Sequence, residues 1–143
     1  MKSKKKFEFL EHTADLEFIA YGDSLDECFE NSARAIWNSI IDLNSVDKEL
    51  KKEITINSDN LRELLHDFLS ESLLIFETEG IVFGDFDVSI IHNHRYELSA
   101  VLYGEKFDPE KHLIRGDIKA VTYHKMLIRE EGGRWSARVV CDV

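Results

Sequence analysis

The chain has 143 residues, 43% of them hydrophobic, and it carries 28 acidic against 18 basic side chains, a formal net charge of -10. That length supports one hydrophobic core of ordinary size, so we expect a single domain over residues 7–143, preceded by a basic, flexible tail over residues 1–6. A surface with this excess of carboxylates repels phosphate backbones, and direct, tight nucleic-acid binding is therefore not expected.

Three further observations concern location. No apolar run is long enough to cross a bilayer, which argues against a membrane protein, and no apolar segment of a secretory signal follows the basic tail. Cys28 and Cys141 lie far apart with no paired spacing, which argues against a zinc ribbon or a disulfide framework. A reducing, cytoplasmic location fits this pattern.

The first half of the chain mixes strands with two helices. FEFL and LEFIAYG are predicted strands, so the polar EHTAD between them is expected in a loop. Ser24 followed by Glu27, and Asn60 followed by Glu63, have the capping-box spacing and predict the starts of two helices with apolar inward faces. KKEITIN alternates as a half-buried strand does.

From Gly80 onward the hydrophobic period changes to two, and strands dominate. Tight turns are predicted at Asn93–His94 and at Gly132–Gly133, each joining two strands. GEKFDPEKHLIRGD lacks clean periodicity and is the best candidate for a mobile loop. Two helices among seven or eight short strands predict an α+β two-layer sandwich, with the helices packed on a largely antiparallel or mixed sheet.

Three acids lie next to predicted strand ends. Asp15 leaves the EHTAD loop, whereas Asp142 and the carboxylate of Val143 end the last strand. If the three converge at one sheet edge, a hard cation would relieve their mutual repulsion, and both calcium and magnesium accept such oxygen ligands. The alternative is that the three acids are solvated and never meet.

Two histidines and one lysine are further candidates. His12 and His124 flank predicted strands, and with Asp15 or Asp142 they could form a mixed zinc site or a general acid–base pair, although hydrogen-bonded packing is the commoner role of such residues. Lys119 either approaches an anionic group of a partner or protects a sheet edge. No nucleophile elbow or phosphate-binding glycine loop occurs.

Several motifs together resemble the archease family: EHTAD, Gly104–Glu105, IKAVTYH over residues 118–124 and the final Asp142–Val143. The resemblance implies a small cytosolic α+β protein that is not itself an enzyme but a cofactor of the RtcB-type tRNA-splicing ligase. Members promote the GTP-dependent guanylylation of that ligase and its repeated turnover. The resemblance also implies a metal site, with calcium favoured over magnesium, at Asp15, Asp142 and Val143, and a needed lysine at Lys119, with His12 and His124 as further candidates for partner activation.

Two positions depart from the family pattern. Glu17 stands where a small residue is more usual, and it either joins the metal site or points to solvent. Asp117 replaces the more usual Glu before Ile-Lys and shortens that side chain by one methylene.

The leading hypothesis is therefore an accessory protein whose acidic, metal-binding edge docks near the nucleotide pocket of an RtcB-type ligase. Its alternatives are a metal-dependent hydrolase that uses His12 and His124 with Asp15 and Asp142, and a general chaperone or scaffold for tRNA-processing proteins. A body with a charge of -10 suits a basic, RNA-binding enzyme as its partner. The sequence does not fix the oligomeric state.

Overall fold

The computed structural model of the chain describes residues 5–10 and 15–143, and it confirms the predicted α+β class. Its helices are α1, Leu25–Ile40, and α2, Leu61–Glu79, with a short 3₁₀ turn at Leu43–Ser45. Its strands are β1 Phe7–Leu10, β2 Asp15–Gly22, β3 Leu50–Ser58, β4 Ile81–His92, β5 Tyr96–Lys106, β6 Ala120–Val121, β7 Leu127–Glu131 and β8 Arg134–Asp142.

The strands are divided between two sheets. A five-stranded sheet has the order β1-β2-β8-β6, with β7 also paired to β8, and a three-stranded sheet has the order β3-β5-β4. Every strand pair within the described residues is antiparallel. The two helices pack on both sheets, because α1 contacts β2 as well as β4, and α2 contacts β3 as well as β6.

Helix α1 begins at the predicted residue. The Ser24 hydroxyl accepts a hydrogen bond from the Glu27 amide at 3.1 Å, and the Glu27 carboxylate accepts one in return from the Asp23 amide at 2.6 Å. The return bond therefore reaches one residue further back than in a regular capping box. The inward face buries Phe29, Ile36 and Trp37 completely.

Helix α2 is capped by Asn60, whose side-chain oxygen accepts from the Glu63 amide at 2.8 Å, and it ends at Gly80, which has φ 68°. A left-handed residue just after the last turn is the common helix stop, and glycine adopts it without strain. The Trp37 indole of α1 donates to the Ser72 hydroxyl of α2 at 3.0 Å. This bond satisfies the one polar atom of the largest core side chain. Within the described residues, neither helix combines the length and the apolar content that a bilayer crossing requires.

The outer edge of β4 is covered by side chains of α1. The amides of Val88 and Ile90 donate to the carboxylates of Glu30, at 2.8 Å, and Asp26, at 3.0 Å. Arg34 reaches the carbonyl of Phe86 at 3.4 Å on the same edge. Backbone groups that a further strand would use are thus bonded within the chain.

Of two predictions for the C-terminal half, one is confirmed and one is wrong. The hairpin between β7 and β8 turns at Gly132 and Gly133, with φ 61° and 78° as predicted. The sequence predicts one continuous strand before this hairpin, and that prediction is wrong. The segment forms two short strands, β6 and β7, which pair with different parts of β8. The interruption is a turn in which the Met126 amide donates to the Tyr123 carbonyl at 3.1 Å and Lys125 has φ 55°.

The segment over residues 107–119 has no regular structure, which agrees with its missing periodicity. Its contacts nevertheless fix it at several points, two of which lie near its middle. His112 is buried against Glu105, and the Arg115 amide donates to the Ile40 carbonyl at the end of α1 at 2.7 Å. Between the two anchors, Leu113 is left 77% exposed.

Candidate metal centre

The first and last residues of two neighbouring strands bring the predicted acids together. Asp15 begins β2, Asp142 ends β8, and the two residues are direct partners in the antiparallel register. Side chains of such partners lie on the same face of a sheet, with their Cβ atoms about 5 Å apart. Two carboxylates at this spacing can share one cation, and Val143, which is 48% exposed, follows directly. Whether these groups bind a metal stays a prediction.

A third strand meets the same point. Ala120 of β6 is the register partner of Asp142, and the Lys119 amide donates to the Asp142 carbonyl at 2.8 Å. The backbone of Lys119 is therefore held beside the acid pair. Its side chain, however, lines a groove against α2. The backbone of Lys119 and the acid pair thus lie at the same end of the five-stranded sheet.

Glu17 does not point to solvent. It lies two residues into β2, on the face of Asp15, and it is fully buried. Its carboxylate accepts a hydrogen bond from the Arg138 guanidinium of β8. The solvent-directed alternative is therefore wrong. The Glu17–Arg138 ion pair, which has no net charge, lies on the sheet face that carries Asp15 and Asp142. A role of Glu17 in the metal site stays a prediction.

The histidines contribute less than the acids. His12 lies outside the described residues. His124 is exposed in the turn after β6, where its amide donates to the Thr122 hydroxyl at 3.2 Å. Among residues 5–10 and 15–143 its ring has no hydrogen-bond or ion-pair partner, so it is not held against Asp15 or Asp142.

Cys141 is the neighbour of Asp142, but it faces the core. Its thiol is completely buried. Burial, with a smaller contribution from the Asp142 charge, raises the pKa of Cys141 to about 12. The buried thiol stays protonated at neutral pH, and it lies on the opposite face of β8 from Asp142, so it does not add to the acid pair. Among residues 5–10 and 15–143, the candidate donors at this edge are carboxylate oxygens, which calcium and magnesium prefer.

A second acidic group lies elsewhere. Carboxylate oxygens of Asp47, Glu49 and Glu105 come within 4.8 Å of one another. The Lys111 ammonium already fills the space between two of them, at 2.6 Å from Asp47 and 2.8 Å from Glu105. An internal cation thus takes the place that a metal would need.

Glu105 is the central residue of that group. The Asp47 amide donates to it at 2.8 Å and His112 Nε2 at 2.9 Å. Because the Asp108 amide donates to His112 Nδ1 at 2.9 Å, the ring proton is placed on Nε2. Burial alone would raise the pKa of Glu105, but the bonds from Lys111, Asp47 and His112 outweigh it and lower that pKa from 4.5 to about 2. The sequence motif Gly104–Glu105 gave no sign of this network.

The fold and the site together define a small α+β protein with a carboxylate pair at one sheet end. A model of the archease protein family matches residues 7–143. The chain is 44% identical over 141 residues to protein archease of Methanosarcina mazei, and the alignment covers 97% of this chain and 97% of that protein. It is 45% identical over 141 residues to protein archease of Pyrococcus abyssi, and that alignment covers 97% of this chain and 99% of that protein. This chain belongs to the archease family.

Solved structures agree with this assignment. The solution structure of protein 1598 from Methanobacterium thermoautotrophicum is 39% identical and superposes with a TM-score of 0.86, covering 96% of this chain and 99% of that one. The crystal structure of an archease from Thermotoga maritima, named a possible chaperone, covers 100% of this chain and 98% of its own with a TM-score of 0.62. At 23% identity, the second likeness concerns the fold alone.

Proposed function

We propose that this chain is a cytoplasmic accessory protein that activates an RtcB-type RNA ligase in tRNA splicing and RNA repair. It would promote the GTP-dependent guanylylation of the ligase and its multiple turnover, without catalysing a step itself. The observation that carries the proposal is the direct pairing of Asp15 with Asp142 at a sheet end, in a chain that belongs to the archease family.

The residues that would hold a divalent cation are Asp15, Asp142 and the Val143 carboxylate. Calcium is favoured over magnesium because it tolerates irregular sets of carboxylate oxygens, whereas magnesium demands a near-ideal octahedron. When bound, the cation supplies positive charge toward the phosphates of a nucleotide. The two aspartates, fixed by the strand register, orient that charge, and such preorganisation can contribute several kcal/mol to a transfer step.

The charge of the chain supports a division of labour between the two proteins. A body at -10 is attracted to a basic enzyme and repelled by RNA. The ligase would therefore hold the RNA, while this chain acts at the nucleotide. The hydrolase alternative is less favoured, because the His124 ring contacts neither Asp15 nor Asp142 among the described residues.

Single-turnover guanylylation of the cognate ligase tests the proposal. Asp15→Asn and Asp142→Asn keep the side-chain shape but remove the charge that binds a cation. We expect each substitution to lower the stimulated rate of GMP transfer by about tenfold or more. The assay follows labelled GMP on the ligase with limiting amounts of the accessory chain.

The matched control is Glu97→Gln, which makes the same charge change at an exposed residue of β5 and should leave the rate unchanged. Full stimulation by both aspartate variants would contradict a role of the acid pair. Stimulation that needs neither GTP nor divalent metal would instead favour the general chaperone.

Metal binding can be measured without the ligase. Calcium at about 100 times its dissociation constant should raise the free energy of unfolding by about 3 kcal/mol, because only the folded chain holds the ligands together. The double variant Asp15→Asn/Asp142→Asn should lose this gain. Without metal it should be at least as stable as the natural chain, since it lacks two like charges placed directly opposite each other. Thermal unfolding with calcium or with a chelator reports both effects, and an undiminished calcium effect in the double variant would refute the predicted ligands.

A further inference from the structure

A groove between α2 and the segment that enters β6 has no role in the metal proposal. It encloses about 500 Å³, on the side of β6 that faces α2. Its lining includes the apolar residues Leu73 and Leu74 and the charged residues Asp67, Glu71, Glu77 and Lys119. It adjoins the acid pair, because Ala120 both lines the groove and pairs with Asp142.

The groove presents an apolar residue that the fold does not use. Leu74 is 50% exposed in the middle of α2, whereas its neighbour Leu73 is only 9% exposed. Tyr123, 43% exposed, extends the apolar surface at one end, where its ring stacks on His66 at 4.4 Å between centroids. Arg62 holds that tyrosine in place through a bond to its carbonyl at 2.8 Å. Rigid, partly exposed apolar side chains beside a concave surface are typical of binding anchors.

The charged residues that line the groove are mostly acidic, and two of the acids have no partner within the described residues. Asp67, Glu71 and Glu77 lie along one side of α2, and its last turn has no basic residue. Glu71, Glu77 and the Lys119 ammonium have no hydrogen-bond or ion-pair partner within the described part of the chain. Asp67 contacts His66 Nδ1 at 3.0 Å, and Lys119 bonds to none of the three acids. With His66 neutral, three carboxylates and one ammonium line the groove, so it keeps an excess of negative charge.

This combination selects one kind of occupant. Phosphate groups and anionic lipids are repelled by the three acids, while a purely apolar segment would leave those acids facing a desolvated surface. We propose that the groove docks a segment of a partner protein in which an apolar side chain lies between lysines or arginines. The apolar side chain would cover Leu74, and the basic residues would meet Glu71 and Glu77.

This proposal extends the proposed function, and it rests on that function because it takes the ligase as the partner. It separates docking from stimulation, two tasks that the leading hypothesis assigns to one acidic edge. The groove would provide affinity, whereas Asp15 and Asp142 would provide stimulation. Since the Lys119 amide is bonded to the Asp142 carbonyl, a segment seated in the groove would position the acid pair against the partner.

The decisive measurement is the affinity of the full chain for the cognate ligase. Glu71→Lys/Glu77→Lys reverses the groove charge at sites without intrachain partners, and it should weaken binding by about tenfold or more. Leu74→Ser should weaken it by a smaller factor. Asp15→Asn should bind within about twofold of the natural chain while it fails to stimulate guanylylation. The matched control is Glu53→Lys/Glu97→Lys, the same charge change on the exposed face of the three-stranded sheet, which should keep the affinity.

The outcomes separate the two proposals. Unchanged affinity in both groove variants would overturn the docking surface and leave the proposed function intact. A natural chain that neither binds nor stimulates the ligase would overturn the proposed function. In that case a second experiment tests whether the groove binds a basic, apolar segment. It uses a synthetic peptide with two leucines flanked by lysines and arginines, and a control peptide in which serines replace the leucines.

Saturable NMR shifts at Glu71, Leu74 and Ala120 with the leucine peptide alone would support the groove. Equal shifts with both peptides, or shifts with neither, would overturn it. Sedimentation of the chain adds one more outcome. A dimer that the Glu71→Lys/Glu77→Lys variant abolishes would assign the groove to a second copy and contradict the proposed occupant.

Discussion

Glu105→Gln is expected to lower the free energy of unfolding at pH 7 by about 3 kcal/mol, the equivalent of the shift of the Glu105 pKa from 4.5 to about 2. The carboxylate is 9% exposed and accepts bonds from Lys111, His112 and the Asp47 amide. The neutral amide has one acceptor oxygen for these three donors, and its own NH₂ group would face at least one of them.

The pH dependence of this effect has a definite sign. The pKa of Glu105 is lower in the folded chain than in the unfolded chain, so its stabilisation is complete above pH 4.5 and is lost as the pH falls toward 2. The difference between the natural chain and Glu105→Gln should therefore shrink between about pH 5 and pH 2. Glu97→Gln, on the same strand, should show no such change. Urea unfolding at several pH values measures it, and a constant difference from pH 7 to pH 3 would contradict this account.

The Glu105→Gln substitution should also affect the groove, because the segment that Glu105 holds leads to the groove. Lys111 and His112 belong to the irregular segment that leads to Lys119, and both are held by Glu105. Without these bonds the segment keeps its anchor at Arg115 but loses the first one. Weaker binding of a partner is thus expected from Glu105→Gln, although Glu105 does not line the groove.

Arg138→Met is expected to destabilise the fold to a similar extent, by about 3 kcal/mol. The guanidinium pairs with Glu17, which is fully buried. Removing the positive partner takes away the bond that Arg138 gives to a carboxylate in a site that water reaches poorly, so the part of the desolvation cost that this bond offsets returns. Methionine retains most of the apolar stem, so the change isolates the charge.

Two companion variants make the result specific. Arg129→Met removes an exposed arginine of β7, whose nearest acid, Glu131, lies at 3.7 Å on the surface, and it should change stability by less than about 0.5 kcal/mol. The double variant Glu17→Leu/Arg138→Met should recover most of the loss, because it also removes the buried Glu17 carboxylate. Chemical unfolding of the three variants checks this, and an Arg138→Met chain within about 1 kcal/mol of the natural one would refute it.

Features that depend on local chemistry could be predicted from the sequence. Ser24 and Asn60 begin helices because a short polar side chain can satisfy free amides wherever it stands. Gly132 and Gly133 mark a hairpin because they adopt positive φ without strain. The meeting of Asp15 with Asp142 was also anticipated, but it rested on the likeness of several motifs to archease, since no local rule tells which strands are neighbours.

Other features depend on partners that are distant in the chain. Glu17 alternates with apolar residues as a solvent-facing acid would, and only the register with β8 brings Arg138 to it. Lys111 and His112 looked like ordinary loop residues until Glu105 and Asp47 were placed beside them. The break between β6 and β7 contains no glycine or proline, and Lys125 adopts its positive φ without a sequence signal. The division into two sheets is likewise a matter of long-range pairing.

The carboxylates of Asp26 and Glu30 along β4 have an effect on the behaviour of the protein at high concentration. A bare strand border invites another chain to continue the sheet, and growth of that kind leads toward fibres. Here the amides of Val88 and Ile90 are already bonded to α1, so polymerisation cannot start at this border while the helix stays in place. The helix that connects the two sheets thus also protects the protein against aggregation.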